Sequence, residues 1–401
     1  MSFEPPGGAR RATSDIARVC YVLLLLNLAD GMVSTLASAY AGSLGYPIAD
    51  IGLIVALYSV ASLASRLPSA RLADGKNAHT WLIASCAIFA ASLALYPFAT
   101  QTWALIAVRI LHGVTFGAAT TLNMATFLAV CTPANRRAAT AGFTASWSGG
   151  YSIGNFVAGV IADTYGFGAA FMLAAIFPLI AILATPKLKE SLPTTTSAKR
   201  DAKATWRVMF NAEVRAVPLL AFSVNFLNAL LTTLFPLYVL AIGLTLSVVG
   251  TARALQSLTN TLVRPISGST VQRFGALQLG TAGVVLTAAA IVCIPFSTAP
   301  LILLGLFVVV GAGRAVGVVA NATGTLDLAS KGVLKRGTAS ALMTAGGDSG
   351  NVVAPLLAGA TAAAIDIGPA MQVLAIATAV ASIVAVLTSR SARVSASSVS
   401  A

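Results

Sequence analysis

The sequence predicts an all-α integral membrane protein with twelve transmembrane helices, arranged as two parallel-repeat six-helix bundles. Three observations lead there. Of the 401 residues, 57% are hydrophobic and only 9% are charged, where an ordinary soluble domain carries about 25% charged residues. The chain divides into about twelve apolar stretches, each of roughly 20 residues, the length an α-helix needs to cross about 30 Å of hydrocarbon. The 25 Lys and Arg residues are also one-sided. All but Arg109, Arg253 and Arg314, which lie inside spans, fall on the face shared by both chain ends and every second connection.

The first six spans lie near residues 19–41, 51–70, 80–98, 103–127, 139–161 and 168–186. The second six lie near 216–241, 248–268, 277–296, 301–325, 339–360 and 368–388. Arg10, Arg11 and Arg18 precede the first span. Arg66, in the last turns of the second, marks its end together with Arg71 and Lys76, Arg136 and Arg137 follow the fourth, and the series continues through Arg264, Arg273, Lys331, Lys335 and Arg336 to Arg390 and Arg393. Cytoplasmic connections collect Lys and Arg, so both termini are expected in the cytoplasm of a cell whose inner (cytoplasmic) membrane the chain crosses many times. Span 1 has no small-residue cleavage site after its basic flank and is read as a helix that stays. The net charge of +13 would suggest a nucleic-acid partner in a soluble protein. Spread over short connections it is a topology signal, and no nucleic acid is expected. Cys20, Cys86, Cys131 and Cys293 form neither a CxxC pair nor a metal-ligand spacing, so they read as packing residues, with no metal and no cofactor.

The longest polar stretch divides the spans six and six. Residues 1–186 form the first bundle, 187–215 a cytoplasmic linker and 216–401 the second bundle. The linker's centre, Ser191 to Arg200, is rich in Thr, Ser and Lys and reads as flexible, and Ala204 to Phe210 could lie as a short amphipathic helix on the membrane surface. The halves then align. Arg66, Ala70 and Asp74 match Arg264, Gly268 and Gln272, each 198 apart; Gly154-Asn155 matches Gly350-Asn351, 196 apart; Gly117 matches Gly317, 200 apart. Six crossings per half give both halves one orientation, with the substrate path expected between them near the midplane. Close-packing glycines alone would explain single matches but not a nearly constant offset.

These residues resemble the major facilitator superfamily over nearly the whole chain. Its signature between helices 2 and 3, Gly-x-Leu-x-Asp-Arg-x-Gly-Arg-Lys/Arg, appears as Ala70-Arg71-Leu72-Ala73-Asp74-Gly75-Lys76-Asn77-Ala78-His79, keeping Leu72 and Asp74 and losing both glycines. The second copy, Gly268-Ser269-Thr270-Val271-Gln272-Arg273-Phe274-Gly275, keeps the glycines and Arg273 but has Gln for Asp. The helix 4 motif appears as Arg109, His112-Gly113 and Gly117, and the small residues of the helix 5 antiporter run as Gly150, Gly154-Asn155 and Gly159, without its proline. By this resemblance Asp74 is a gate element meeting the N-terminal end of helix 11, with Arg273, the signature Arg kept in the second copy, as its counterpart in the second half. A helix N-terminus attracts a carboxylate through its partial positive charge. A solvated loop acid is the competing reading.

Charged side chains at the bilayer centre cost about 2.5–3.5 kcal/mol even on permissive scales and need a partner or a wet cavity. Asp30, Arg109, Arg253, Arg314 and Asp348 are the shortlist. Asn27, Asp30, Ser34 and Ser38 share one helical face, and Arg109 and His112 share a side of span 4, with Asn123 further along. The resemblance places helices 1 and 4 around a central cavity where an acid and an Arg can meet. Burial and a neighbouring guanidinium act in opposite senses on a carboxyl's protonation. Asp30 is therefore the expected proton carrier and Arg109 its modulator, with Arg314 and Asp348 the second pair. A permanent structural ion pair competes with this reading. Asn27, Ser34, His112, Asn123, Tyr151, Asn225, Asn228, Arg253, Gln256, Asn260 and Asn351 are the expected cavity residues, among aromatics such as Tyr58 that equally suit packing.

The expected function is secondary active transport of a small organic molecule by alternating access, coupled to protons and directed as efflux, by a chain working as a monomer in the lipid bilayer. The alternative is proton-coupled uptake of an organic anion, suggested by three intramembrane Arg against two Asp, since guanidinium binds carboxylate or phosphate bidentately. No phosphate-binding Gly-x-x-x-x-Gly-Lys-Ser/Thr loop is present. With two histidines, His79 and His112, and no Glu in a span, an enzyme is not expected.

Overall fold

The computed structural model describes residues 6–75, 77–132, 135–186, 212–330, 334 and 336–399. The expected linker core therefore lies outside the described residues, as do Lys76, Lys331 and Lys335. Among those described there is no strand. The helices are α1 (Pro6–Ser43), α2 (Ile48–Ala73), α3 (Ala78–Ala94) and α4 (Thr102–Val130) in the first half. A helical run Arg136–Ala184 then breaks at Gly166 (φ 82°, ψ 169°) into α5 (136–165) and α6 (167–184). After the linker come α7 (Ala212–Ala241), α8 (Leu246–Phe274), α9 (Ala276–Cys293), α10 (Pro300–Ser330), α11 (Arg336–Ile365) and α12 (Ile367–Val399). Nine of the described helical runs are long and apolar enough to cross a membrane, with α5 and α6 counted as one. The two below that threshold, α8 and α11, carry the polar stripes Arg253, Gln256, Asn260, Arg264 and Thr344, Asp348, Asn351.

The repeat is visible in the backbone. Gly45 and Gly243, 198 apart, take positive φ (81° and 78°) in the turns after α1 and α7, a region glycine enters without a Cβ penalty. The α5–α6 break at Gly166 has its copy at Asp366 (φ 77°) between α11 and α12. The third helix of each half ends in the same short turn, Tyr96–Phe98 and Ile294–Phe296, each with a proline in second place.

Packing repeats as well. On α5, a Cβ at Gly150 or Gly154 would stand 2.5 or 2.2 Å from the carbonyl oxygens of Leu24 or Leu28 on α1. On α11, a Cβ at Gly346 or Gly350 would stand 2.2 or 2.5 Å from those of Pro218 or Phe222 on α7. The fifth helix of each half thus lies backbone-to-backbone on the first, as small residues permit in membranes. The same ends carry matching apolar clusters, Val19, Phe127, Ala139 and Phe143 in one and Val217, Leu328, Ala339 and Leu342 in the other. Gly117 and Gly317 do not share a role: the first faces Ser62 and Ser65 of α2, the second Val224 of α7. Of the cysteines, Cys20 and Cys86 are packed inside, while Cys131 is half-buried and Cys293 exposed, so the packing reading fits only the first two.

Contacts sort the chain into two compact units. One holds residues up to Tyr46, Leu57 to the end of α6, and Thr245–Ser257; the other holds Pro47–Ala56, all of α7 to Leu244, and Leu258 onward. The first turns of α2 and α8 thus pack with the opposite half of the sequence, which differs from a division at the linker alone.

Candidate functional site

The first unit buries an acid among four donors. Asp30, 2% exposed on α1, accepts at Oδ1 from the Tyr58 hydroxyl (2.6 Å), His112 Nε2 (3.1 Å) and Ser34 Oγ (3.3 Å), and at Oδ2 from the Tyr151 hydroxyl (2.7 Å). Removing a carboxylate from water costs several kcal/mol, which hydrogen bonds to the charged group offset at about 1.5–3 kcal/mol each. Four elements supply the donors. Asp30 and Ser34 are one turn apart on α1, Tyr58 lies on α2, His112 on α4 and Tyr151 on α5.

Behind His112 the bonds continue. His112 Nδ1 lies 2.9 Å from the Tyr96 hydroxyl, and Arg109 Nη1 donates to that same oxygen at 3.2 Å. A guanidinium only donates, so the single Tyr96 hydrogen is free to go to His112 Nδ1. With the ring proton on Nε2, His112 donates to Asp30 and accepts at Nδ1, so both ring nitrogens are paired, while Arg109 Nε has no partner among the described residues. The order Arg109, Tyr96, His112, Asp30 follows from this donor inventory. Phe89 stacks on the imidazole (5.3 Å) and the Tyr58 ring meets it edge-on (4.8 Å). Tyr40 fixes the turn carrying Tyr96 by donating to its carbonyl oxygen at 3.0 Å.

The expected direct meeting of Asp30 with Arg109 does not occur; His112 holds that position. Arg109 and His112 are three residues apart on one helix, and the extra reach of the guanidinium carries it past the acid. Arg109 acts on Asp30 at one remove, through Tyr96 and His112 and through Tyr58, whose ring its Cζ faces at 4.8 Å. Arg109 is itself 2% exposed.

Several expected cavity residues lie in the interior of this unit. Asn27, His112 and Asn123 are fully buried. The Asn27 amide donates to the Leu23 carbonyl oxygen of its own helix (2.9 Å), and the Asn123 amide donates to that of Val19 (3.3 Å), tying α4 to α1. Ser34 and Tyr151 are half-buried, as is Arg253, which donates to Gln256 Oε1 at 2.7 Å.

The second unit carries a related station. Position 228 is the repeat copy of position 30, and there Asn228 Oδ1 accepts from Arg314 Nη1 of α10 at 2.9 Å. In each unit a residue on the first helix of the half thus accepts from a basic side chain on the fourth. Only the first unit places an ionisable acid there. Asn225 donates to its own helix at the Ala221 carbonyl oxygen (2.9 Å), and Asn260 is buried. Asp348 and Asn351 are half-buried on α11. Asp74 is half-buried at the end of α2, and Arg273 is exposed at the end of α8. Among the described residues no three His, Cys, Asp or Glu side chains converge as a metal set.

Sequence reasoning passed over Tyr96 and Asp163. Tyr96 could have been found from the repeat, because the Tyr-Pro-Phe of one half is Ile-Pro-Phe in the other and a polar group there is unneeded for packing. Asp163, at the end of α5, accepts from the backbone amides of Leu246 (2.9 Å) and Ser247 (2.6 Å) at the start of α8. No local pattern signals a contact across that sequence distance.

A family model described as Major Facilitator Superfamily matches residues 19–252 and 219–400 of the chain. An uncharacterized MFS-type transporter of Methanocaldococcus jannaschii is 23% identical over 323 residues, 78% of this chain and 82% of that protein. Among solved structures, a bacterial homologue of the human lysosomal transporter Spinster, in an inward-facing and unoccupied conformation, aligns with a TM-score of 0.72 at 14% identity over 96% of each chain. A variant of the nucleoside transporter NupG aligns with a TM-score of 0.76 at 13% identity, over 94% of this chain and 99% of that one. At these identities the structures testify to the fold.

Proposed function

Because the chain belongs to the major facilitator superfamily, we propose that it is a proton-coupled secondary transporter of a small organic molecule, with Asp30 as its leading proton-carrying acid and Asp348 as the second candidate. The observation that carries this reading is the asymmetry of the two stations: Asp30 with His112 in one unit, Asn228 with Arg314 in the other. An amide at the second station cannot take up a proton, so of the two stations only the first can change its charge by protonation. A proton on Asp30 cancels its charge and turns one oxygen from acceptor to donor, which obliges His112, Tyr58 or Tyr151 to rearrange. Those three sit on three different helices. Protonation is thereby coupled to how α2, α4 and α5 are held against α1.

Efflux is the direction proposed, resting on the acid in α1, with both chain ends in the cytoplasm and the chain acting as a monomer in the cell membrane. Asp74 and Arg273 are assigned to the cytoplasmic gate on the resemblance of their segments to the family signature. The nucleoside transporter among the structural neighbours suggests small polar organic compounds as the first screen. Uptake of an organic anion is the second reading. It is favoured by Arg253 and Arg314, each half-buried and donating to an amide oxygen.

The test is transport into inside-out vesicles under an imposed pH gradient, comparing the wild type with Asp30→Asn. Gradient-driven accumulation should vanish in the variant while gradient-independent exchange of the same compound survives. Equal response to the gradient in both proteins removes Asp30 from the coupling.

A further inference from the structure

The structure assigns to Asp163 the role of a latch that holds the outer end of α5 against the first turn of α8. This rests on the alternating-access reading and the proposed topology, which puts the α5–α6 and α7–α8 connections on the non-cytoplasmic side, but not on proton coupling. Both segments belong to the same compact unit. The carboxylate takes two successive backbone amides, Leu246 N at Oδ1 (2.9 Å) and Ser247 N at Oδ2 (2.6 Å). These are among the first amides of α8, which have no partner within their own helix, so a cap supplied by another helix ties the two together.

The latch sits above a seam built for close approach. A Cβ at Gly159 would stand 2.4 Å from the Leu246 carbonyl oxygen, and one at Gly250 would stand 2.5 Å from that of Asn155 and 3.0 Å from the Gly159 Cα. Deeper in, Ser152 donates to the Ala254 carbonyl oxygen at 3.2 Å. In the other unit the repeat copy of this crossing joins Gly52 of α2 to Gly359 of α11, the Cβ of one meeting the Cα of the other at 2.9 and 3.0 Å. No acid stands at the copy of Asp163, where the sequence reads Thr361-Ala362-Ala363. Both crossings are glycine-on-glycine, and only one has a carboxylate fastening it. Asp163 is itself exposed, so water can replace its bonds and the fastening is reversible. A crossing made of smooth backbone contact plus one releasable cap can part without unpacking a core.

The test reads the seam directly. In a Cys293→Ser background, which removes the exposed native thiol, Ser152→Cys places a reporter about three turns inward of Asp163. Its modification by a membrane-impermeant thiol reagent is followed in whole cells and normalised to total thiol after denaturation, so that poorly folded protein is counted out. Asp163→Ala and Asp163→Asn should each raise the labelling rate by about fivefold, the population change expected when one helix cap is lost. Gly250→Val, which wedges the same crossing, should raise it as well. If Gly250→Val accelerates labelling and both Asp163 variants stay within about twofold of the parent, the latch is wrong and the moving seam stands. If none of the three changes the rate, the seam does not move, and the latch falls together with alternating access at this crossing.

Discussion

Gly149 and Gly150 are neighbours on α5 with opposite duties, and exchanging each for alanine tests the packing of the first unit. A Cβ at Gly149 meets nothing within 4 Å, whereas one at Gly150 stands 2.5 Å from the Leu24 carbonyl oxygen and one at Gly154 stands 2.2 Å from that of Leu28. Gly149→Ala therefore gains the helix-propensity difference, about 0.5–1 kcal/mol. At Gly154 the new methyl must move from 2.2 Å to an ordinary contact near 3.4 Å, so α1 and α5 must part by about 1.2 Å, an overpacking penalty of about 1–3 kcal/mol. The same displacement stretches the 2.7 Å bond from Tyr151 on α5 to Asp30 on α1 beyond hydrogen-bond reach. The assay is the apparent melting temperature of detergent-purified protein at one scan rate, with gradient-driven transport measured beside it. Gly149→Ala should match or exceed the wild type, while Gly150→Ala and Gly154→Ala should melt several degrees lower and lose transport. Equal melting temperatures for Gly149→Ala and Gly154→Ala would refute the backbone-to-backbone contact and, with it, the reason for these glycines.

Two further substitutions separate the proton chain from plain packing. His112→Gln keeps a side-chain N–H within reach of Asp30 and should retain part of the gradient response. His112→Leu takes one donor from Asp30 and leaves the Tyr96 hydroxyl hydrogen without its acceptor, a cost of about 1–3 kcal/mol for the unpaired group, and should abolish the response; identical transport by both variants would count against a donor role. Asn123, fully buried with its Oδ1 unpartnered, is predicted to be a tie between helices. Asn123→Leu should leave the apparent affinity for substrate unchanged and move the melting temperature by only a few degrees, so a large loss of affinity would return Asn123 to the binding surface.

The candidate site was partly legible. Asp30 stood out because an acid amid apolar residues is costly anywhere in a membrane, and that cost depends on composition alone. His112 and Arg109 were readable as one face of α4, since helical spacing is local. Which of the two would reach the acid was not readable. That choice depends on how α4 is turned against α1, and on Tyr58, Tyr96 and Tyr151 arriving from other helices. Asn27 on α1 and Asn123 on α4 are both fully buried, and what covers them could not be read, because a polar stripe defines a face of a helix without saying what packs on it.

What the sequence by itself determined was the run of apolar helices, the clustering of the cations at alternate connections and the duplication. Each rests on lengths, composition and spacing along one strand of chain, which a single helix in lipid already obeys. Only the tertiary structure decided that α5 lies on α1 and α11 on α7 through bare backbone, that Asp30 is held by His112, and that Asp163 fastens α8 from 83 residues away. Those are contacts between helices, fixed by fractions of an ångström in how backbones and side chains fit, and residue order does not encode them locally.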